Sequence, residues 1–409
     1  HERATLAARE GLDRAMAVQD VTNIRASLED CQRLLLEDVV SAAMRQIRGI
    51  LSDEIVVARD LDREGRAEVL PRLDGFIGIL RALGDVQLRQ FHNDVQDLKG
   101  ALRVFCRVRP MNKKETAKGD TLAVSQVDLF SISIPNHSGN HQTFSYDAIF
   151  GPDSTQGDVF TEVRSLVQSA FDGFNVTIFS YGQTGAGKTW TLYGSGQEPG
   201  ISPRTCDEIF RTVARDSERF EFEITASMVE LYLTNLRDLL VRSKSREPAK
   251  LDFKSVRQPD GRIAVVLDGV REEQVSSSED LAQVVMRGLS SRKVKTTDMN
   301  AESSRSHLLL MIKVHIRERS TGRERDGKIT VVDLAGSERL AKSGVTGEGQ
   351  REAIEINKSL TALGDVMMAL TSSSKVVPYR NHKLTQLMQD SLGGTAKTLM
   401  IVNISPSSS

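Results

Sequence analysis

The octapeptide Gly182-Gln183-Thr184-Gly185-Ala186-Gly187-Lys188-Thr189 constrains the fold more than any other stretch of the chain. It fits G-x-x-x-x-G-K-[ST], a loop whose backbone N–H groups wrap a polyphosphate. The lysine then reaches the outer phosphates and the threonine hydroxyl reaches magnesium. The pattern needs a strand before it and a helix after it. "FNVTIFSYG" reads as an apolar strand leading into the loop, and a helix can start at Lys188. The competing reading is a glycine-rich turn without a ligand, and the strand-to-helix context argues against it.

From "LRVFCRVRP" onward, β-type runs alternate with helical ones. Pro110 closes that first strand. "FEFEITASMVELYL", "HLLLMIKVHI", "GKITVVDLAG" and "TLMIVNISP" are further strands. Strands separated by helices predict an α/β sandwich around a largely parallel or mixed sheet. Ligands in such sheets bind beyond the carboxyl ends of strands, where both the loop and "VVDLAGSE" fall.

Residues 1–84 read as helical, with Leu36, Val40, Ala43, Ile47 and Ile50 in one apolar stripe. Gly65 and Pro71 are expected to interrupt it. A helix over 85–100 carries Leu88, Phe91, Val95, Leu98 and Leu102 at heptad-like spacing. Two readings stand, a helix packed on its own domain and a short dimerising coiled coil. Lys99-Gly100 is expected to end it, and residues 101–409 form the α/β domain.

The chain has 409 residues and a net charge of −1, so it is no polycation for nucleic acid. Attraction to an acidic partner must come from a local basic face. Cys31, Cys106 and Cys206 lack metal spacing and read as reduced thiols of a cytosolic protein. No apolar run approaches the ~20 residues of a membrane span. The start at His1 and the end in "ISPSSS" suggest an excerpt of something longer.

Two further segments fit a nucleotide site. In "VVDLAGSE", Asp333 ends an apolar strand, where it can hold magnesium directly or through water. Gly336 has no side chain, so its N–H can approach a terminal phosphate. "NAESSRSH", Asn300 to His307, is a polar loop able to reach a γ-phosphate, its magnesium and an attacking water. With the other two segments it reads as a switch ordered by the γ-phosphate. Arg305 needs an anionic partner, and Glu338 is the expected one. Hydrolysis would then rest on positioning and charge stabilisation.

"FCRVRP", "YGQTGAGKTWT", "NAESSRSH", "VDLAGSERLAKSG", "INKSLTALGDV" and "VPYRNHKLTQLMQDSLGG" together resemble the kinesin motor domain, in its order and spacing, over nearly all of 101–409. The resemblance implies the P-loop NTPase kinesin motor fold: a central mixed, mostly parallel sheet flanked by helices and preceded by an α-helical neck or stalk region. It implies ATP hydrolysis with Mg, coupled to movement on microtubules in the cytoplasm and cytoskeleton. It also implies that the chain stops before the last motor helix. By position, Arg107, Arg109 and Pro110 would line the adenine and ribose pocket. Gly182 to Thr189, with Asn300, would bind the nucleotide, and Thr189, Ser304 and Asp333 the metal. Ser303, Ser304 and Arg305 would be switch I. Gly336 and Glu338, with Asp333, would be switch II, and Asn357 would lie in the relay helix.

The same resemblance places Lys342, Lys375, Tyr379, Arg380, His382, Lys383 and Leu384 on the face that meets tubulin. Tubulin is acidic, so these cations fit a salt-sensitive contact. The helix before the motor and "DLKGALRVFCRVRP" look like the junction of minus-end-directed kinesins with a C-terminal motor. Several segments are most similar to the kinesin-like calmodulin-binding branch. Ala101 stands where many minus-end motors carry Asn. That departure weighs against the minus-end direction, while the neck resemblance leaves room for a homodimer and the branch resemblance for a calmodulin-type regulator outside this segment. The alternative is a slow or non-motile microtubule tether that keeps the fold.

Overall fold

The computed structural model describes the chain except residues 1, 62, 86, 100–101, 129, 136–138, 242–250, 258–262, 294–304, 338–347, 373, 375, 394 and 408–409. It divides into two compact units, His1–Ala101 and Leu102–Ser409.

The first unit contains α1 (Glu2–Ala17), α2 (Val21–Arg33), α3 (Glu37–Asp60), α4 (Arg63–Ala82) and α5 (Leu88–Lys99). Asp20 caps α2 by accepting from the N–H groups of Thr22 and Asn23. The apolar stripe of α3 is present: Ala43 and Ile47 are buried, together with Leu51, Ile55 and Ala58. The interruption falls elsewhere than expected. Helix α4 runs through Gly65 and Pro71, and the break comes at Leu61, which is extended (φ −75°, ψ 148°). Proline removes one backbone donor, a loss that a helix with a buried face can absorb. That face carries Leu73, Phe76, Ile77 and Leu80. At Gly75 a Cβ would stand 2.5 Å from Val21 Cγ1, so glycine lets α2 and α4 approach closely.

Phe91, Val95 and Leu98 of α5 belong to the same buried cluster, with Leu88 packed against it. The heptad-like spacing thus serves packing on the helix's own unit. Helix α5 spans the core of the expected 85–100 segment.

The second unit is built on β1 (Leu102–Val108), β2 (Ser125–Gln126), β3 (Ser131–Pro135), β4 (His141–Ser145), β5 (Ala148–Phe150), β6 (Asn175–Tyr181), β7 (Phe220–Tyr232), β8 (Asn235–Asp238), β9 (Asp252–Arg257), β10 (Ile263–Asp268), β11 (Glu273–Val275), β12 (Ser306–Glu318), β13 (Glu324–Asp333) and β14 (Lys397–Ile404). The main sheet runs β11-β7-β12-β13-β6-β14-β1-β5, with β8 on β7. From β13 to β5 neighbours are parallel, and from β11 to β13 antiparallel. The sheet is mixed.

Its strands are apolar on both faces because helices cover both. Ile178, Leu308, Leu310 and Val331 point into the cluster under helices Gln156–Phe171, Ile201–Asp216 and Ser278–Lys293. Their neighbours Phe179, Leu309 and Val332 point the other way, against Ile356, Leu360 and Leu363 of helix Glu348–Thr371. The period of two places successive residues on opposite faces. Cys31, Cys106 and Cys206 are buried free thiols, and burial pushes Cys106 and Cys206 up to about 12. Among the described residues no helix is long and apolar enough to cross a membrane.

Candidate nucleotide site

Strands β6 and β13 pair in parallel with Asp333 beside Ser180, so both polar motifs leave the sheet at the same edge. The loop after β6 turns on glycines. Gly182 has φ 146°, and a Cβ there would stand 2.3 Å from the Asn403 carbonyl oxygen. Only glycine fits so close to β14. Gly187 (φ 100°) precedes the helix Lys188–Tyr193, as the motif requires. Ala186 is buried and its N–H donates to the Gln183 carbonyl at 3.2 Å.

Lys188 Nζ donates to the carbonyls of Gly182 at 2.8 Å and Gln183 at 3.1 Å. The ammonium is thus held over the loop. Thr189 donates its hydroxyl to Asp333 Oδ2 at 2.9 Å. These two oxygens, from different motifs, are the pair expected to hold magnesium. The cleft between them has a volume of about 260 Å³ and is lined by Thr184, Gly185, Gly187, Lys188, Thr189, Trp190, Asp333 and Leu334. A loop shaped by glycine, an ammonium above it and two hard oxygens beside it suit a magnesium-bound polyphosphate.

Gly336 is buried and lies against the loop, since the next N–H, of Ser337, donates to Gly182 O at 3.2 Å. Asp333 is buried in a polar network. Arg292 NH1 lies 3.5 Å from its Oδ2, and Arg292 also donates to the carbonyl and hydroxyl of Ser306 at 3.0 and 3.1 Å. Ser306 in turn donates to Glu230 at 2.8 Å.

The arginines of β1 depart from expectation in one case. Arg107 is buried and donates to Gln156 Oε1 at 2.8 Å and Thr191 Oγ1 at 3.2 Å. It lies beneath the loop helix and does not line the cleft, because alternation along β1 carries it to the helix-covered face with Phe105. Burial lowers its pKa. Arg109 donates to Gly185 O at 2.8 Å and is fixed by Glu115 and Ser405, so it braces the loop. That pairing holds Glu115 down at about 2. Pro110 is exposed and its carbonyl accepts from Arg109 at 2.9 Å.

Asn300, Ser303, Ser304 and Glu338 lie outside the described residues, as do Lys342 and Lys375. Arg305 is described, and the carboxylate it meets is Glu352 of helix Glu348–Thr371, which also accepts from Tyr232. Asn357 lies in that same helix.

The expected tubulin-facing segment is corrected in part. Arg380 is exposed and Lys383 half-buried. His382 is only 7% exposed and its Nδ1 accepts from the Leu384 N–H at 3.0 Å, capping the helix Lys383–Leu387. Leu384 is fully buried in the core, so neither it nor His382 is a surface contact. Tyr379 is half-buried over Gly393, and its carbonyl accepts from Thr385 at 2.7 Å.

Sequence reasoning missed Trp190, Arg292 and Glu352. Trp190 is the single tryptophan, 43% exposed on the cleft wall. Its place directly after the Lys-Thr of the loop was a readable signal. Arg292 and Glu352 carry none, since their partners are distant in sequence.

Residues 107–409 match the family described as Kinesin motor domain. The chain is similar to the kinesin-like protein KIN-14I of Oryza sativa subsp. japonica, 45% identical over 355 residues, 86% of this chain and 28% of that protein. It is 46% identical to KIN-14E of Arabidopsis thaliana over 321 residues, 78% of this chain and 25% of that protein. It thus spans about a quarter of the length of these relatives. Among solved structures it is similar to the motor domain of the Kar3-like kinesin from Ashbya gossypii. There the TM-score is 0.64 and identity 35%, over 76% of this chain and 94% of that one. The chain described as a fast kinesin gives a TM-score of 0.67 at 35% identity, over 75% of this chain and 86% of that one. With the phosphate loop, the Thr189–Asp333 pair and the strand order in place, the chain belongs to the kinesin motor domain family.

Proposed function

We propose that this chain is a microtubule-stimulated, Mg-dependent ATPase that couples hydrolysis to minus-end-directed movement along microtubules. The observation that carries the reading is the Thr189–Asp333 contact at 2.9 Å across two motifs, beside a lysine held on the phosphate loop. Similarity to KIN-14 and Kar3-like kinesins supports both the track and the direction.

The loop N–H groups and Lys188 bind and orient the phosphates. Thr189 and Asp333 hold magnesium, with Ser304 assigned as the third oxygen ligand. Magnesium, when bound, neutralises charge on the phosphates. Trp190 offers an aromatic face at the cleft wall. Arg109, fixed by Glu115, keeps the loop in shape. Glu338 orients the attacking water, with Ser303, Ser304, Arg305 and the Gly336 N–H completing the site. The carboxylate that lines the cleft, Asp333, is engaged by Thr189 and Arg292, which suits a reaction run by positioning and electrostatics. On the track side, exposed Arg380 and half-buried Lys383 meet acidic tubulin, together with Lys342 and Lys375. Tyr379 and His382 shape that element.

The test is ATP turnover with and without polymerised microtubules. Stimulation that weakens with salt is expected. Lys188→Ala should lower turnover by about 100-fold or more, the scale of losing a charge-stabilising donor. Glu338→Ala should bind nucleotide yet hydrolyse it slower by a similar factor of about 100. Normal hydrolysis by the Glu338→Ala protein would defeat that assignment. Binding to microtubules without stimulation would favour the tether reading.

A further inference from the structure

The third motif ends in a residue that no step above uses. His307 is the second residue of β12 and is buried, 3% exposed, with the 333–337 turn on one side and helix Glu348–Thr371 on the other. Its two ring nitrogens have fixed roles. The Ala335 N–H donates to Nδ1 at 3.1 Å, so Nδ1 carries no proton. A neutral ring then carries its proton on Nε2, which donates to Ser359 Oγ at 2.8 Å. The Ser359 hydroxyl in turn donates to the Ile356 carbonyl at 2.6 Å. Burial, the largest cause, pushes His307 down to about 3, so the ring stays neutral at ordinary pH.

A rigid imidazole therefore spans from a backbone N–H two residues past Asp333 to a hydroxyl in the middle of the long helix. A second tie lies on the same face of that helix, about two turns earlier. Glu352 there accepts from Arg305 and Tyr232. Between these two ties, Glu355 Oε1 faces His382 Nε2 at 3.4 Å, within the element proposed to meet the track.

We propose that His307 is a positioning residue that couples the Asp333–Gly336 turn to helix Glu348–Thr371 through the Ser359 hydroxyl. Movement of the turn on nucleotide exchange moves Ala335. It must carry the ring and Ser359 with it or break a buried hydrogen bond. The helix then delivers that shift toward Glu355 and His382. The inference rests on the motor reading and deepens it by naming the bond through which the two sites communicate.

Ser359 does not line the cleft, and its hydroxyl bonds to His307 and the Ile356 carbonyl, so it is the residue to change. Three forms of the full chain are compared: wild type, Ser359→Ala and Ser359→Thr, the last keeping the hydroxyl. Basal turnover, turnover at saturating microtubules, ATP affinity from Trp190 fluorescence without microtubules, and Tm are measured. Ser359→Ala should lower microtubule-stimulated kcat by about fivefold to tenfold, in the range of typical coupling between sites. Basal turnover, ATP affinity and Tm should stay near wild type, and Ser359→Thr should restore stimulation. Full stimulation of Ser359→Ala overturns the proposal. So does a joint fall in basal rate, stimulated rate and Tm, which is the mark of a packing residue. A Ser359→Thr protein as impaired as Ser359→Ala overturns the role of the hydroxyl. A wild type that microtubules do not stimulate removes the motor reading itself, and the coupling falls with it.

Discussion

Residues 182–189 and 379–384 are both short polar runs that carry cations, and the structure uses them in opposite ways. In the first, nearly every residue type is dictated by the cleft. Gly182 is pressed against the Asn403 carbonyl, Lys188 is held over the loop and Thr189 reaches Asp333. In the second, half of the residues serve the interior. His382 caps a helix, Leu384 fills the core, and only Arg380 and Asn381 are exposed. A phosphate site needs many atoms converging on one point, so its spacing is rigid. A track-facing surface needs a few outward charges on a well-anchored element, so its pattern is mixed with anchoring residues.

This difference should appear most strongly in the cleft. Asp333→Asn removes the charge that faces Thr189 and leaves Arg292, 3.5 Å away, with one carboxylate fewer. Magnesium-dependent ATP affinity, read from Trp190 fluorescence at varied magnesium, should fall by about 100-fold, while the magnesium-free affinity changes little. Equal losses with and without magnesium would mean that Asp333 supports the fold and does not hold the metal.

At the second segment the two kinds of residue should separate. His382→Ala loses a capping acceptor and leaves a buried gap, so thermal unfolding should show a loss of about 1–3 kcal/mol. Arg380→Ala should leave Tm unchanged and weaken microtubule binding by about twofold to fivefold at low salt, as expected for an exposed charge at an interface rim. The Arg380→Ala effect should vanish at high salt. If His382→Ala kept its Tm and lost only track affinity, the division between anchor and contact would be reversed.

How far the sequence was legible follows the same division. Strands β6, β7, β12, β13 and β14 were readable because apolar runs of that length, bounded by turns, have few alternatives. The loop, Asp333 and Gly336 stand out together because phosphate chemistry would fix residue type and spacing, and the fold brings them to one place. Arg107 was misplaced because a strand arginine beside a nucleotide motif can face either side. Its burial depended on Gln156 and Thr191, distant in sequence. The break in the helical unit is not legible at Pro71, because proline's local cost is offset by the packing of Leu73 and Phe76, which local sequence does not show. The heptad-like run in α5 was ambiguous for a related reason. Spacing shows that a face is apolar and does not say which partner covers it.

The smallest expected effect concerns pH, and it again separates interior from surface. His307 is lowered to about 3 and His382 is lowered as well, in both cases chiefly by burial, with Glu355 opposing the shift at His382. The His307 ring is neutral in the folded chain, and the folded His382 ring takes up a proton less readily than an unfolded one. The unfolded chain has ordinary imidazoles near 6.5 and takes up protons that the folded chain refuses. Stability from His307 is therefore complete above 6.5 and falls as pH drops from 6.5 toward 3, by up to about 1.4 kcal/mol per pH unit, and His382 contributes in the same direction. His315 has the opposite sign, since its hydrogen bond to Asp326 raises its pKa. Its contribution is present below 6.5 and fades as pH rises through the raised value, but Asp326 is 84% exposed and solvent screens the pair. Glu115 enters only later, because its lowered pKa gives stability that is lost below about 4.5. Melting temperature recorded from pH 8 to pH 5 should thus hold level to about 6.5 and then decline. The His382→Ala protein should start lower and decline less steeply. A level profile down to pH 5 would mean that water reaches these rings, and that the packing around helix Glu348–Thr371 is looser than its buried hydrogen bonds imply.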